Sequence, residues 1–295
     1  MKNFKKFFFL FLRFFITFSI LYFLFKKSDI NKLKEIFKGI TLPYYLIALL
    51  CFNCFQFLVA LRWKKICEAW DFKTNYLFYL KSYLMGFSLN TAMPGIVGGD
   101  VLRTVFLTKK GLIWKKASLS VLYDRFCGLV GIFFILALFL PFYSNFLPSK
   151  LHFFLFLLTY GVIAGVILAG FILKKFTNSD YFKPLTFPYN LKPLFLGFVI
   201  QILFVLQFVF LGKALHLNLK FIYFFVIIPI ISFLSALPLS ISGLGVREGS
   251  LSYFLHLLNY SVEYGISLGL LGYSLILISA LPGLYFYLKE KRLWK

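Results

Sequence analysis

SLSVLYDRFCGLVGIFFILALFLP, residues Ser118–Pro141, is an apolar run broken by only two charges, Asp124 and Arg125. About 20 apolar residues form a helix long enough to cross the roughly 30 Å hydrocarbon layer of a bilayer, so the run predicts a membrane-spanning helix. Charges at that depth are costly unless they are paired or face a wet cavity. Neighbours on a helix point about 100° apart, so Asp124 and Arg125 are expected to find partners elsewhere. Asp124 with Arg103 or Arg247, and Arg125 with Glu248 or Asp100, are the expected pairs.

The rest of the chain extends the pattern. Of 295 residues, 61% are apolar and 14% charged, where a soluble domain carries about a quarter charged. Six stretches read as spans: 7–25, 44–61, 118–141, 151–173, 193–212 and 264–288. Lys2, Lys5 and Lys6 precede the first, and with no small-residue cleavage site after Phe25 it reads as a retained span. Within 28–40, Ile30, Leu33, Ile36, Phe37 and Ile40 share a face, predicting an interfacial helix. The fold class is therefore all-α, a single polytopic membrane domain over residues 1–295. A net charge of +22 would suggest nucleic acid in a soluble protein. Here the basic residues flank the spans, where they meet anionic head groups, so membrane lipid is the expected partner and nucleic acid is not.

Stretches 75–93 and 221–237 are apolar too, but each runs into a proline and a glycine-containing segment. Each is either a full span or a re-entrant hairpin. With a cytoplasmic N-terminus, hairpins put more than twice as many Lys and Arg on the cytoplasmic side as outside, whereas two full crossings leave the sides about even. The positive-inside rule favours hairpins and puts both termini in the cytoplasm of a cell-membrane protein.

The two stretches also resemble each other. Ser88, Thr91, Ala92, Met93, Pro94, Gly99 and Arg103 match Ser232, Ser235, Ala236, Leu237, Pro238, Gly243 and Arg247, each 144 residues on. That offset implies pseudo-repeats of about 1–147 and 148–295. Since an odd number of spans separates the copies, they enter from opposite faces, an arrangement found in transporters. In PGIVGGDVLR (Pro94–Arg103), Gly98 and Gly99 permit a turn and Asp100 is a candidate helix N-cap. PLSISGLGVREG (Pro238–Gly249) keeps the turn glycines Gly243 and Gly245 and Arg247, replaces the acid with Leu244, and adds Glu248.

Only six of the 32 basic residues are arginines. Four of these, Arg62, Arg103, Arg125 and Arg247, stand in motif-like surroundings, and a planar guanidinium suits phosphate or carboxylate as an ammonium does not. Arg62 by itself reads equally well as a helix-end residue. Cys51 and Cys54 share a helical face with no second pair, and the three histidines are scattered, so no metal site or cofactor is expected. Asn53, Gln56, Gln201 and Gln207 are expected to hydrogen-bond between helices.

Arg62-Trp63, Asn90, Pro94, Gly98-Gly99-Asp100, Arg103, Asp124-Arg125, Gly128, then Gly243, Gly245 and Arg247-Glu248, in this order, resemble the lysylphosphatidylglycerol synthase transmembrane region, or flippase-like, family over nearly the whole chain. The resemblance implies a domain that moves lipids between leaflets, in bifunctional relatives beside a soluble aminoacyl-transferase domain that these 295 residues do not contain. Lipid translocation, with head-group contacts from Arg103, Arg125 and Arg247 and support from Arg62, Asn90, Asp100, Asp124 and Glu248, is the expected function. Two other classes are a transferase with a lipid-linked donor, for which no catalytic motif is found, and a non-catalytic partner of a separately encoded lipid-modifying enzyme.

Overall fold

Among the described residues all regular structure is helical. The computed structural model describes residues 2–92, 97–176, 179–237 and 243–292, with side chains over 14–91, 98–172, 179–237 and 243–290. In chain order the helices are α1 (Lys2–Lys27), α2 (Ile30–Lys38), α3 (Leu42–Glu68), α4 (Tyr76–Ala92), α5 (Val97–Lys109) and α6 (Trp114–Tyr143). They continue as α7 (Ser149–Phe176), α8 (Leu191–Ala214), α9 (Phe224–Ala236), α10 (Val246–Leu257) and α11 (Val262–Arg292). Short 3-10 helices at Asp180–Leu185 and Phe221–Tyr223 precede α8 and α9.

Five of these, α3, α6, α7, α8 and α11, are long and apolar enough to cross a membrane. They contain the predicted spans 44–61, 118–141, 151–173, 193–212 and 264–288, and the chain is a multi-pass membrane protein. The predicted span 7–25 lies in α1, whose side chains are described only from Phe14 onward. Local chemistry sets several starts. Pro43 opens α3, where its missing N–H costs nothing. Asp29 caps α2, accepting from the backbone N–H of Asn31 at 2.8 Å and of Lys32 at 3.4 Å. The expected apolar face of α2 is corrected at one position. Leu33 is buried, and Ile36, Phe37 and Ile40 pack on the core, but Ile30 is 60% exposed.

At the centre α3 and α8 share the largest helix–helix interface and run antiparallel. Phe55 meets Phe204 with ring centroids 5.6 Å apart, while Arg62, late on α3, approaches Gly197, early on α8. Around this pair, α6 packs on α8 and α9, and α11 packs on α4 and α10. Helices α1 and α7 lie at the periphery.

The stretches 75–93 and 221–237 form the half-length helices α4 and α9, each followed by a short partner. The first turn of α4 lies beside the last third of α3, where the Tyr79 and Trp63 rings meet edge to face with centroids 5.1 Å apart. Helix α5 ends beside the start of α6, with Leu107 and Leu112 packed against Ala117 and Val121. Both open ends of this pair therefore lie where α3 finishes and α6 starts. The α9–α10 pair is anchored alike: Phe224 lies under Gly212 at the end of α8, and Ser252 lies against Gly265 at the start of α11.

Residues 93–96 and 238–242, and with them Pro94 and Pro238, lie outside the described residues. Gly98, Gly99 and Asp100 do not form the turn and cap expected of them. All three are already inside the first turn of α5, which leaves the Asp100 carboxylate free to pair with arginines. The glycines before α10 do form a turn: Gly243 and Gly245 have φ of 78° and 80° before that helix begins.

Candidate functional site

A buried polar cluster is built around Asp124, on the third turn of α6 and 2% exposed. Its Oδ1 accepts from Arg62 Nε at 2.8 Å, and its Oδ2 accepts from Arg103 Nη2 at 2.8 Å. One carboxylate thus holds two guanidiniums from two other helices, α3 and α5. Both arginines are buried, at 4% and 5% exposure. The Arg103 guanidinium also lies over the Trp63 ring, 4.1 Å from its centroid, with Tyr83 at 5.4 Å on α4. Trp63 is held in turn by a hydrogen bond from Nε1 to Ser120 Oγ at 2.9 Å. A planar cation between a carboxylate and an indole is fixed in both position and tilt.

Arg125, next to Asp124, points elsewhere and pairs with Asp100 on α5. Asp100 Oδ1 also lies 3.9 Å from Arg103 Nη1. The sequence expectation that the adjacent charges would each find a partner on another element holds here, and Arg103 and Asp100 are the partners taken. Arg62 was not legible as the second ligand of Asp124, because nothing in its own neighbourhood distinguishes a buried ion pair from a helix-end arginine. Three guanidiniums meet two carboxylates, so the cluster carries one net positive charge. Two of its buried nitrogens, Arg62 Nη1 and Arg103 Nε, make no hydrogen bond.

A cavity of about 190 Å³ opens onto this cluster, lined by Arg62, Arg103, Arg125, Asp100, Asp124 and Asn90 with apolar neighbours that include Phe55. Its wall depends on the close approach of α4 and α5. The Gly99 N–H donates to Asn90 Oδ1 at 2.8 Å, tying the two arms together. That role of Asn90 could not be read from the sequence, since it depends on α5 turning back along α4.

Arg247 lies elsewhere, so the three arginines expected to contact a head group are divided between two cavities, Arg103 and Arg125 lining one and Arg247 the other. It lines a second cavity of about 290 Å³ with Gln201, Ser232, Ser235 and a mostly apolar wall. Phe55 lines both cavities. Arg247 donates to Oε1 of the adjacent Glu248 from Nε at 3.0 Å and Nη2 at 2.8 Å. Glu248 Oε2 accepts from the Gly245 N–H at 2.7 Å, as the fourth residue of a capping box does. Neighbouring side chains can meet here because both turn back toward the helix start. The pair carries no net charge, and the positions 144 residues after Arg62, Asp124 and Arg125 are Leu206, Leu268 and Gly269. Gly269 leaves the space that Glu248 occupies, since a Cβ there would lie 2.7 Å from Glu248 Cγ.

Among the other expected polar contacts, Gln201 Nε2 bridges helices by donating to the Gly128 carbonyl at 3.2 Å. Asn53 does not: its Nδ2 donates back to the Leu49 carbonyl of its own helix at 2.8 Å.

The family model described as the lysylphosphatidylglycerol synthase TM region matches residues 10–283, a stretch that takes in the Asp124 cluster, the Arg247–Glu248 pair and all the long spans but the end of α11. The chain belongs to this family. No curated protein matches the sequence. As a member of the lysylphosphatidylglycerol synthase TM-region family, it buries Arg62 on α3, Arg103 on α5, Asp124 on α6, and Arg247 and Glu248 on α10.

Proposed function

We propose that this protein translocates an anionic lipid, a phospholipid or a polyprenyl phosphate, between the leaflets of the cell membrane. The observation that carries the reading is the buried Arg62–Asp124–Arg103 cluster with its net positive charge beside a cavity. A site of that sign in a membrane interior suits a phosphate-bearing head group, and two guanidinium nitrogens there lack partners. The cavity of about 190 Å³ is below the usual range of roughly 300–1,000 Å³ for drug-sized ligands. It suits a head group whose chains stay in the bilayer.

The architecture supports the same reading. Every α-helix of the first half except the short α2 has a counterpart about 144 residues later: α1 and α7, α3 and α8, α4 and α9, α5 and α10, α6 and α11. We read this as an inverted repeat in which α4–α5 and α9–α10 are re-entrant hairpins open to opposite membrane faces, with both termini cytoplasmic. Phe55, shared by the two cavities, then stands between a chamber reached from one face and a chamber reached from the other. A transferase would need a carboxylate available as base or ligand, whereas both oxygens of Asp124 and of Glu248 are engaged.

The test is leaflet exchange of fluorescently labelled phosphatidylglycerol in proteoliposomes. Exchange by the wild type, lost in Arg103→Gln with lipid composition unchanged, is the expected result. Chemical turnover of the lipid, or exchange equal to protein-free vesicles, overturns the reading.

A further inference from the structure

Although the halves correspond element by element, their peripheral helices are placed differently. In the second half α1 covers α10: Thr17, Ile20 and Leu24 lie on Gly245 and Gly249, and a Cβ on Gly245 would sit 3.1 Å from the Thr17 carbonyl oxygen. The positions 144 residues from these contacts are Gly161, Ala164 and Leu168 on α7, and Val101 and Val105 on α5. These surfaces are not closed in the same way. Val101 is 48% exposed and Leu168 60%, Ala164 is exposed, and a Cβ on Gly161 would meet no atom within 4 Å. Helix α7 instead packs along α6 and the 3-10 helix Asp180–Leu185. Helix α6 lies between α5 and α7, and there it presents Leu122, 58% exposed, and the side chain of Arg125, 42% exposed.

We infer that the space between α5 and α7 is a lateral portal occupied by one anionic phospholipid, its head group drawn to Arg125 and its acyl chains lying against Val101, Leu122 and Leu168. This deepens the translocation reading and rests on its pairing of the two halves. Charge selects the occupant: the cluster behind the portal has three guanidiniums and two carboxylates, and Arg125 is its exposed member. Size supports the division of the lipid, since a cavity of about 190 Å³ has no room for acyl chains. The equivalent route in the second half is closed by α1 and leads to a neutral Arg247–Glu248 pair. The two halves are therefore unequal, and the portal belongs to the first.

The experiment places a photo-crosslinking amino acid at Val101 and, separately, at Leu50, an exposed α3 position. The protein is reconstituted in phosphatidylcholine vesicles with a minor fraction of phosphatidylglycerol, irradiated, and its lipid adducts are counted by mass spectrometry. We expect phosphatidylglycerol to be enriched several-fold in the Val101 adducts over the Leu50 adducts. Arg125→Gln should remove the enrichment at Val101 while leaving the Leu50 yield, and hence the fold, unchanged. Equal head-group ratios at the two sites overturn the portal, as do protein–protein adducts at Val101 in place of lipid. Enrichment in a protein that exchanges no lipid between leaflets keeps the portal as a binding site and removes the translocation reading, so the two failures are distinguishable.

Discussion

Gly86 on α4 and Gly99 on α5 approach so closely that a Cβ on Gly99 would lie 1.9 Å from the Gly86 carbonyl oxygen. That contact, with the Asn90–Gly99 hydrogen bond beside it, brings Arg103 within reach of Asp124. Gly99→Ala must push backbone against backbone, and overpacking of this kind costs about 1–3 kcal/mol. We expect a lower Tm in detergent and a larger loss of lipid exchange than the stability change alone produces. A variant with wild-type melting and exchange would show that the two arms separate without consequence.

Asp124→Asn keeps the shape of the side chain and leaves two buried guanidiniums facing a neutral amide. Removing one partner of a buried ion pair costs about 3–5 kcal/mol, and here one carboxylate serves both arginines. Thermal unfolding in detergent should show a destabilisation of that order. Arg62→Gln, which leaves Arg103 to hold Asp124, should cost less.

Asp100 and Arg125 form a rim pair, with 20% and 42% of their side chains exposed. Exposed pairs are worth about 0.2–1 kcal/mol, so neither single substitution should unfold the protein. Asp100→Arg and Arg125→Asp should each reduce lipid exchange, and the double swap should restore part of it. A double variant no better than the worse single one would rule out a functional pairing.

At one end of the bundle, outside the spans, Lys183 Nζ lies 3.0 Å from Asp71 Oδ2. This contact holds the Asp71 carboxyl below its usual pKa and the Lys183 ammonium above its own. The sign follows from each direction. The Asp71 contribution is present above about pH 4, the ordinary carboxyl value, and fades as pH falls through its depressed pKa; the Lys183 contribution is lost only above about pH 10. Hydrogen exchange in the loop of residues 69–75 should therefore be no faster at pH 5 than at pH 9 once intrinsic rates are divided out. A protection change inside that window would assign the loop to another titrating group.

How much of this was legible in the sequence varies with the distance over which residues act. The five long spans follow from long apolar runs with few charges, because a bilayer imposes a length on any helix that crosses it. Asp124 and Arg125 advertised a need for partners, because two adjacent helical charges diverge. Their partners on α5 were among those expected. Arg62 was not, since it reaches Asp124 only after α3 and α6 pack antiparallel. Asp100 reads as a helix cap from the glycine pair before it, whereas α5 already includes Val97, four residues ahead of the start that such a cap implies. For Arg247 and Glu248 the adjacency rule failed in the other direction: at a helix start two long neighbouring side chains can fold back and meet.

The seat of α1 on Gly245 and Gly249 makes the N-terminal helix a stopper over α10. A chain shortened to begin at Ile30 would keep the α3–α8 centre, the Asp124 cluster and the Arg247–Glu248 pair. It would also bare the flank of α10 that now faces Thr17 and Ile20, leaving a molecule with two doorways where the intact protein has one.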